Sequence, residues 1–150
     1  MSKLTVNEAN GDFTHVIRLS AADIVAAGTS SVAFASIPAG GAIDVAFATE
    51  SSAIEGATDI TLDVGTGTDV DTLIDNFDLD ANNGAPVYNT GTSFVQVAGN
   101  TTIAGGAQPV EQKSSATDVI YTFGGTTGDV TGGEVIIGVR IFDPLRFSQA

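Results

Sequence analysis

The chain has no cysteine and no tryptophan, a single histidine, and only five basic residues against eighteen acidic ones. Without thiols it can use neither disulfides nor thiolate metal sites, and redox chemistry says nothing about its compartment. No serine sits in a nucleophile-elbow pattern, so neither common catalytic triad can be assembled around His15, which reads as a structural or surface residue. A net charge of −13 leaves no basic stripe to neutralise phosphates, which excludes nucleic-acid binding and argues against docking on anionic membranes. No apolar run approaches the roughly 20 residues needed to span a bilayer. The start, Met1-Ser2-Lys3-Leu4-Thr5-Val6, lacks the apolar core of a signal peptide, so synthesis in a cytoplasm is expected.

What the chain does have is Val, Ile, Ala and Phe in short runs, spaced by Thr, Ser, Gly and Asp. Branched and aromatic residues suit a pleated surface, and Gly, Asp and Asn supply turns. Hydrophobic residues make up 43% of the 150, enough to exclude a disordered chain in spite of the charge. The length suits one buried core. The acidity serves solubility and self-repulsion, or attraction to a basic partner surface.

Phe13, His15, Ile17 and Leu19 alternate with Thr14, Val16, Arg18 and Ser20, which predicts a strand with one apolar face. Residues 20–28 predict a helix of about two turns, capped by Ser20 and ended by Gly28. Residues 31–37 and 42–49 predict two strands, joined as a hairpin through Pro38-Ala39-Gly40-Gly41. Residues 59–65 form another, with Ile60, Leu62 and Val64 inside. Residues 66–84 predict an acidic loop with a helical turn around Leu73 and Ile74, and shorter strands are expected near Val87-Tyr88, at 93–97 and near Val110. Residues 118–123 and 134–142 make the last pair. The second of these is apolar on nearly both faces and is expected at the centre of a sheet. The fold class is therefore all-β, an antiparallel β-sandwich or jelly roll of about eight to ten short strands with one short helix. It forms one domain over 1–150, with contact arms at 1–10 and 143–150.

Gly65-Thr66-Gly67 lacks the third glycine and the following long helix of a dinucleotide or phosphate loop. The acidic segment holds Asp63, Asp69, Asp71, Asp75, Asp78 and Asp80, and hard cations favour such oxygens. Asp78, Asp80 and Asn82 are the calcium candidates, but Gly84 falls one position late and Asn89 stands where a bidentate Glu is needed. A solvated loop whose Asp side chains cap turns is the competing reading. Paired carboxylates also serve glycoside hydrolysis, yet two Tyr and no Trp give little to line a sugar cleft. We expect no enzymatic activity and no cofactor.

Thr61-Leu62-Asp63-Val64-Gly65-Thr66-Gly67-Thr68-Asp69-Val70-Asp71-Thr72-Leu73-Ile74-Asp75 resembles a strand-and-loop segment of small virion proteins of tailed bacteriophages. Thr131-Gly132-Gly133-Glu134-Val135-Ile136-Ile137-Gly138-Val139-Arg140-Ile141-Phe142-Asp143-Pro144 is similar to their closing strand, as are the 19–28 piece and the Ile37-Pro38-Ala39-Gly40 turn. Together these cover a little under half the chain, and none is a chemical signature. The resemblance implies a capsid decoration (cement) protein or a related structural component, often a homotrimer on the capsid exterior. Its partners would be the major capsid protein and its own copies. The family offers no functional motif to carry over. From the residues themselves, Leu4 and Val6 at one end and Leu145, Arg146 and Phe147 at the other are the protein-contact candidates, an apolar-plus-Arg mix suited to interfaces. A receptor- or carbohydrate-binding module of a tail fibre or adhesin is the rival reading.

A solvated acidic loop predicts no calcium-dependent heat in titration calorimetry. Saturable binding that disappears in the Asp78→Ala/Asp80→Ala double variant is the opposite result.

Overall fold

The computed structural model describes residues 3–5, 13–79, 86–88 and 111–143, with the backbone alone at 3–5 and 111–112. The strands are β1 (Lys3–Thr5), β2 (His15–Ser20), β3 (Val32–Ile37), β4 (Ala42–Glu55), β5 (Thr61–Thr66), β6 (Asp69–Asp78), β7 (Val87–Tyr88), β8 (Glu111–Gln112), β9 (Thr117–Gly124) and β10 (Gly132–Phe142). One helix, α1 (Ala21–Ala27), follows β2. The strands form an all-β antiparallel sandwich. One sheet has six strands in the order β1-β2-β10-β4-β7, with β8 also on β4; the other has four, β3-β9-β5-β6.

The nearly apolar run 134–142 forms β10, which lies between β2 and β4 as expected, although only its inner face is buried and Arg140 and Phe142 on the outer side stay exposed. Val135, Ile137 and Val139 are fully buried and face Leu19, Ile17 and His15 on β2, and Glu50, Ala48 and Ala46 on β4. From the other sheet, Leu62, Val64, Leu73, Ile74, Val119 and Phe123 close the core, with Tyr121 packed edge-on to Phe123. The helix forms as its sequence dictates. The Ser20 side chain accepts from the Asp23 N–H and the Asp23 carboxylate accepts from the Ser20 N–H, a reciprocal capping box. Gly28 ends it at φ 59°, and Ile24 is its one buried side chain.

Three expectations fail. Residues 31–37 and 42–49 do not pair: β3 belongs to the four-stranded sheet and β4 to the six-stranded one, so residues 38–41 cross between layers. Alternation marks one apolar face equally well in a hairpin and at a corner. The crossing is tight, with Gly41 N–H donating to the Pro38 carbonyl at 2.8 Å and Gly40 at φ 78°. The final pair behaves likewise, β9 and β10 lying in different sheets.

Nor is the stretch after Thr66 a loop. Gly67, at φ 65°, and Thr68 turn the chain into β6, a ten-residue edge strand on β5. The β5–β6 ladder shifts register twice, so Thr72, Leu73 and Ile74 are buried consecutively and the period of two is lost. The helical turn expected at Leu73 and Ile74 is therefore strand. The strands expected at 93–97 and near Val110 lie outside the described residues.

This packing sets a stability order that urea denaturation measures. Leu62→Ala, at a fully buried site, is expected to cost about 3 kcal/mol. Gly65→Ala, whose Cβ would fall on the Asp69 carbonyl, is expected to cost about 2 kcal/mol. Gly128→Ala meets nothing within 4 Å and is expected to be silent.

Candidate functional site

The chemistry-bearing residues divide between the two outer faces of the sandwich. Strands β3, β5, β6 and β9 carry Asp63, Asp69, Asp71, Asp75, Asp78 and Asp118 and no basic residue, and none of these carboxylates is buried. Asp63 is pushed above the usual carboxylate range, first by partial burial and further by Asp75, against the opposing effect of the Asn76 N–H, which donates to it at 2.6 Å. That bond accompanies the left-handed backbone of Asn76, at φ 55°. Asp71 is also raised, first by its hydrogen bond with Asp69, then by burial and by the charges of Asp69, Asp75 and Asp63. Among the described residues, no group of three or more His, Cys, Asp or Glu side chains is placed to hold a metal ion. Asp78 lies exposed at the end of β6, while Asp80 and Asn82 fall outside the described residues.

The outer face of the six-stranded sheet is different. Val16, Gly138, Phe47 and Tyr88 stand side by side in register across β2, β10, β4 and β7. Gly138 has no side chain, and the Phe47 ring fills the place where its Cβ would be. Phe47 packs between Phe13, at 4.5 Å between centroids, and Tyr88, at 5.9 Å. On one side of this row Arg18 pairs with Glu134 at 2.8 Å, and the Ser51 hydroxyl donates to the same carboxylate at 2.6 Å. Those two contacts, Ser51 first, hold Glu134 below its usual range. On the other side Arg140 grips Asp44 with two bonds, of 2.8 and 2.9 Å. Tyr88 and Phe142 remain 55% and 56% exposed. Sequence reasoning missed this face, because Phe47 and Tyr88 meet only through register.

The predicted contact residues fare unevenly. Leu4 lies in edge strand β1, opposite Ile17 in register. Val6, Leu145, Arg146 and Phe147 lie outside the described residues. His15 has its Nδ1 2.9 Å from the Thr14 hydroxyl, beside a pocket lined also by Ser36, Pro38, Ile141 and Asp143. That hydroxyl extends the β10 ladder, accepting from the Ile141 N–H and donating to the Val139 carbonyl. This gives Thr14 a structural role.

No family model matches the chain, and no curated protein matches it. Its fold has a solved counterpart. It is similar to a chain of the acidic stable capsid structure of Helicobacter pylori bacteriophage KHP30, with a TM-score of 0.55 and 9% sequence identity. The match spans 96% of this chain and 94% of that one. At that identity the likeness is one of fold, and it takes in both sheets.

The raised carboxyls fix a sign for the pH dependence. Asp63 and Asp71 hold protons more readily in the folded state than in the unfolded chain, so their ionisation destabilises the fold. That cost is absent at low pH and grows as pH rises from the ordinary carboxylate range through the raised values. Asp59, lowered chiefly by the Thr126 hydroxyl and then by the Thr126 N–H, and Glu134 act oppositely; their stabilisation is lost as pH falls through the lowered values. Asp71→Asn is therefore expected to raise the unfolding free energy measured in urea at neutral pH, by at most about 0.5 kcal/mol at so solvated a site. It should leave stability at low pH unchanged, and high salt should shrink the difference.

Proposed function

We propose that this chain is a structural virion protein that binds the outside of a bacteriophage capsid as a homotrimer and stabilises the shell by bridging neighbouring capsid subunits. The observation that carries the reading is the likeness of fold, over nearly the whole of both chains, to a chain of a phage capsid structure. The physical properties support it. A sandwich whose central strand is buried on its inner face and paired along both edges is a stiff body, as a brace must be. One outer face presents exposed aromatic side chains, which protein contacts use. The other is purely acidic, which keeps many copies in a crowded array from sticking face to face. In this reading the partners are the major capsid protein and other copies of the chain. Contacts that are each weak become tight through their number. The protein is made in the host cytoplasm, catalyses nothing, and ends on the particle exterior.

Exposed Tyr88 favours one rival, a receptor- or carbohydrate-binding module of a tail fibre or adhesin, since sugars stack on aromatic faces. A glycan-binding screen separates the two, and clear hits abolished by Tyr88→Ala would favour the rival.

The direct test mixes purified protein with capsids that lack it. Saturable co-sedimentation and a higher temperature of capsid disruption are expected, along with a native mass near 45 kDa, three times the 15.1 kDa chain. Absence from purified particles, together with no co-sedimentation, would falsify the proposal.

A further inference from the structure

We propose that the outer edge of β3 is a docking site for an extended, lysine- or arginine-bearing segment of another protein, which adds to the four-stranded sheet as a further strand. This names the surface through which capsid binding would act, and it rests on that reading only for the identity of the partner.

The two edges of the four-stranded sheet are built differently. Strand β6 closes one side and is guarded as edge strands are: it carries Asp69, Asp71, Asp75 and Asp78 and shifts register twice against β5. Strand β3 forms the other edge, and among the described residues β9 is the one strand paired with it. Its sequence, Val32-Ala33-Phe34-Ala35-Ser36-Ile37, holds no charge and no proline. Phe34 and Ile37 are buried and anchor it to the core, while Ala33 and Ser36 are exposed. One register shift falls between Ala33 and Ala35, and from Ala35 to Ile37 the pairing with β9 is regular. An edge strand turns a row of backbone N–H and carbonyl groups away from its single neighbour. The small side chains of Ala33, Ala35 and Ser36 let a second backbone come close to that row.

The surroundings set the chemistry of what docks. Asp118 on β9 stands in register with Ser36. At this end of β3 a pocket is shared by Ser36 and Pro38 with Thr14, His15, Ile141 and Asp143 from the side of the other sheet. The Asp143 carboxylate and the Ser36 hydroxyl give it acceptors of the kind that hold an ammonium or a guanidinium. Lys113 is fastened here by its backbone to Gly40 and Gly41, but β3, β5, β6 and β9 themselves set no cation against Asp118 and the five aspartates of β5 and β6. With −13 on the whole chain, a cationic segment is drawn in and an anionic one repelled. In strand addition the backbone bonds supply affinity and pockets for alternate side chains supply specificity. The β3 edge and the pocket at its end offer both.

The test is fluorescence anisotropy of a short capped peptide in which valine alternates with lysine and threonine, beside capsid co-sedimentation. The full chain is expected to bind it saturably, and to ignore a peptide of equal charge interrupted by a central proline, which cannot complete a ladder. Ala33→Lys/Ser36→Lys, at two exposed sites, is expected to weaken binding roughly tenfold with an unchanged circular dichroism spectrum. Ser52→Lys/Gly128→Lys adds the same charge at exposed sites on other elements and should bind as wild type does. If the first pair fails to fold, Ser36→Lys alone carries the same expectation. No binding by the wild type, equal binding of the two peptides, or equal binding by wild type and the β3 variants would each overturn the edge assignment. Peptide binding through β3 by a protein that does not sediment with capsids would sink the virion reading and leave the edge standing. Co-sedimentation that the β3 variants do not weaken would overturn β3 as the capsid contact and leave the virion reading intact.

Discussion

The central place of β10, buried on its inner face and paired along both edges, is the constraint from which the rest of the architecture follows. Its inward residues, Val135, Ile137, Val139 and Ile141, need the four-stranded sheet above them, and that sheet supplies Leu62, Val64 and Phe123. Its backbone needs a partner on each flank, and β2 and β4 take those places in long antiparallel ladders. The outward residues then meet whatever β2 and β4 present at the same height. At Gly138 this is Phe47 on one side and Val16 on the other. A larger residue there would push Phe47 off the sheet and break the aromatic row. One strand thus determines both the core and the character of the exposed face.

Much of this was legible in the residues, and the illegible parts share a cause. Strand β10, the β2 alternation and the capping box of α1 are local patterns, each satisfied within a dozen residues. The destination of β3 and β4 is not local. Pro38 to Gly41 allows a hairpin or a crossing between layers, and the choice lies in which distant strand each one pairs with. The acidic segment misled for another reason. Its aspartates at alternate positions suggested solvent and metal chemistry, but β6 bends through two register shifts that bury Thr72, Leu73 and Ile74 in succession. A long edge strand lined with Asp is protected against pairing with another chain. Its charge reads more naturally as protection of that edge than as a ligand set.

The division of charge has a physical logic. Gathering carboxylates on one sheet costs stability, as the raised Asp63 and Asp71 show. The strands of the six-stranded sheet carry carboxylates too, Asp44, Glu50, Glu55, Glu111 and Glu134, but there Arg18 and Arg140 pair with two of them beside the aromatic row. Each ion pair contributes little to stability where it stands, being partly exposed.

That layout also accounts for a sequence that gives away its fold more readily than its role. A catalytic site leaves a few residue types at fixed spacing, which a reader can find. The outward row here leaves none, because it is made of side chains brought level by register from four separate strands. The fold itself tolerates wide change, since alternation and an apolar central strand can be met by many sequences. A chain 9% identical therefore takes the same shape over nearly its whole length. The outward side of the sheet, where Gly138, Phe47 and Tyr88 meet, can be reconstructed only once the pairing of the strands is known.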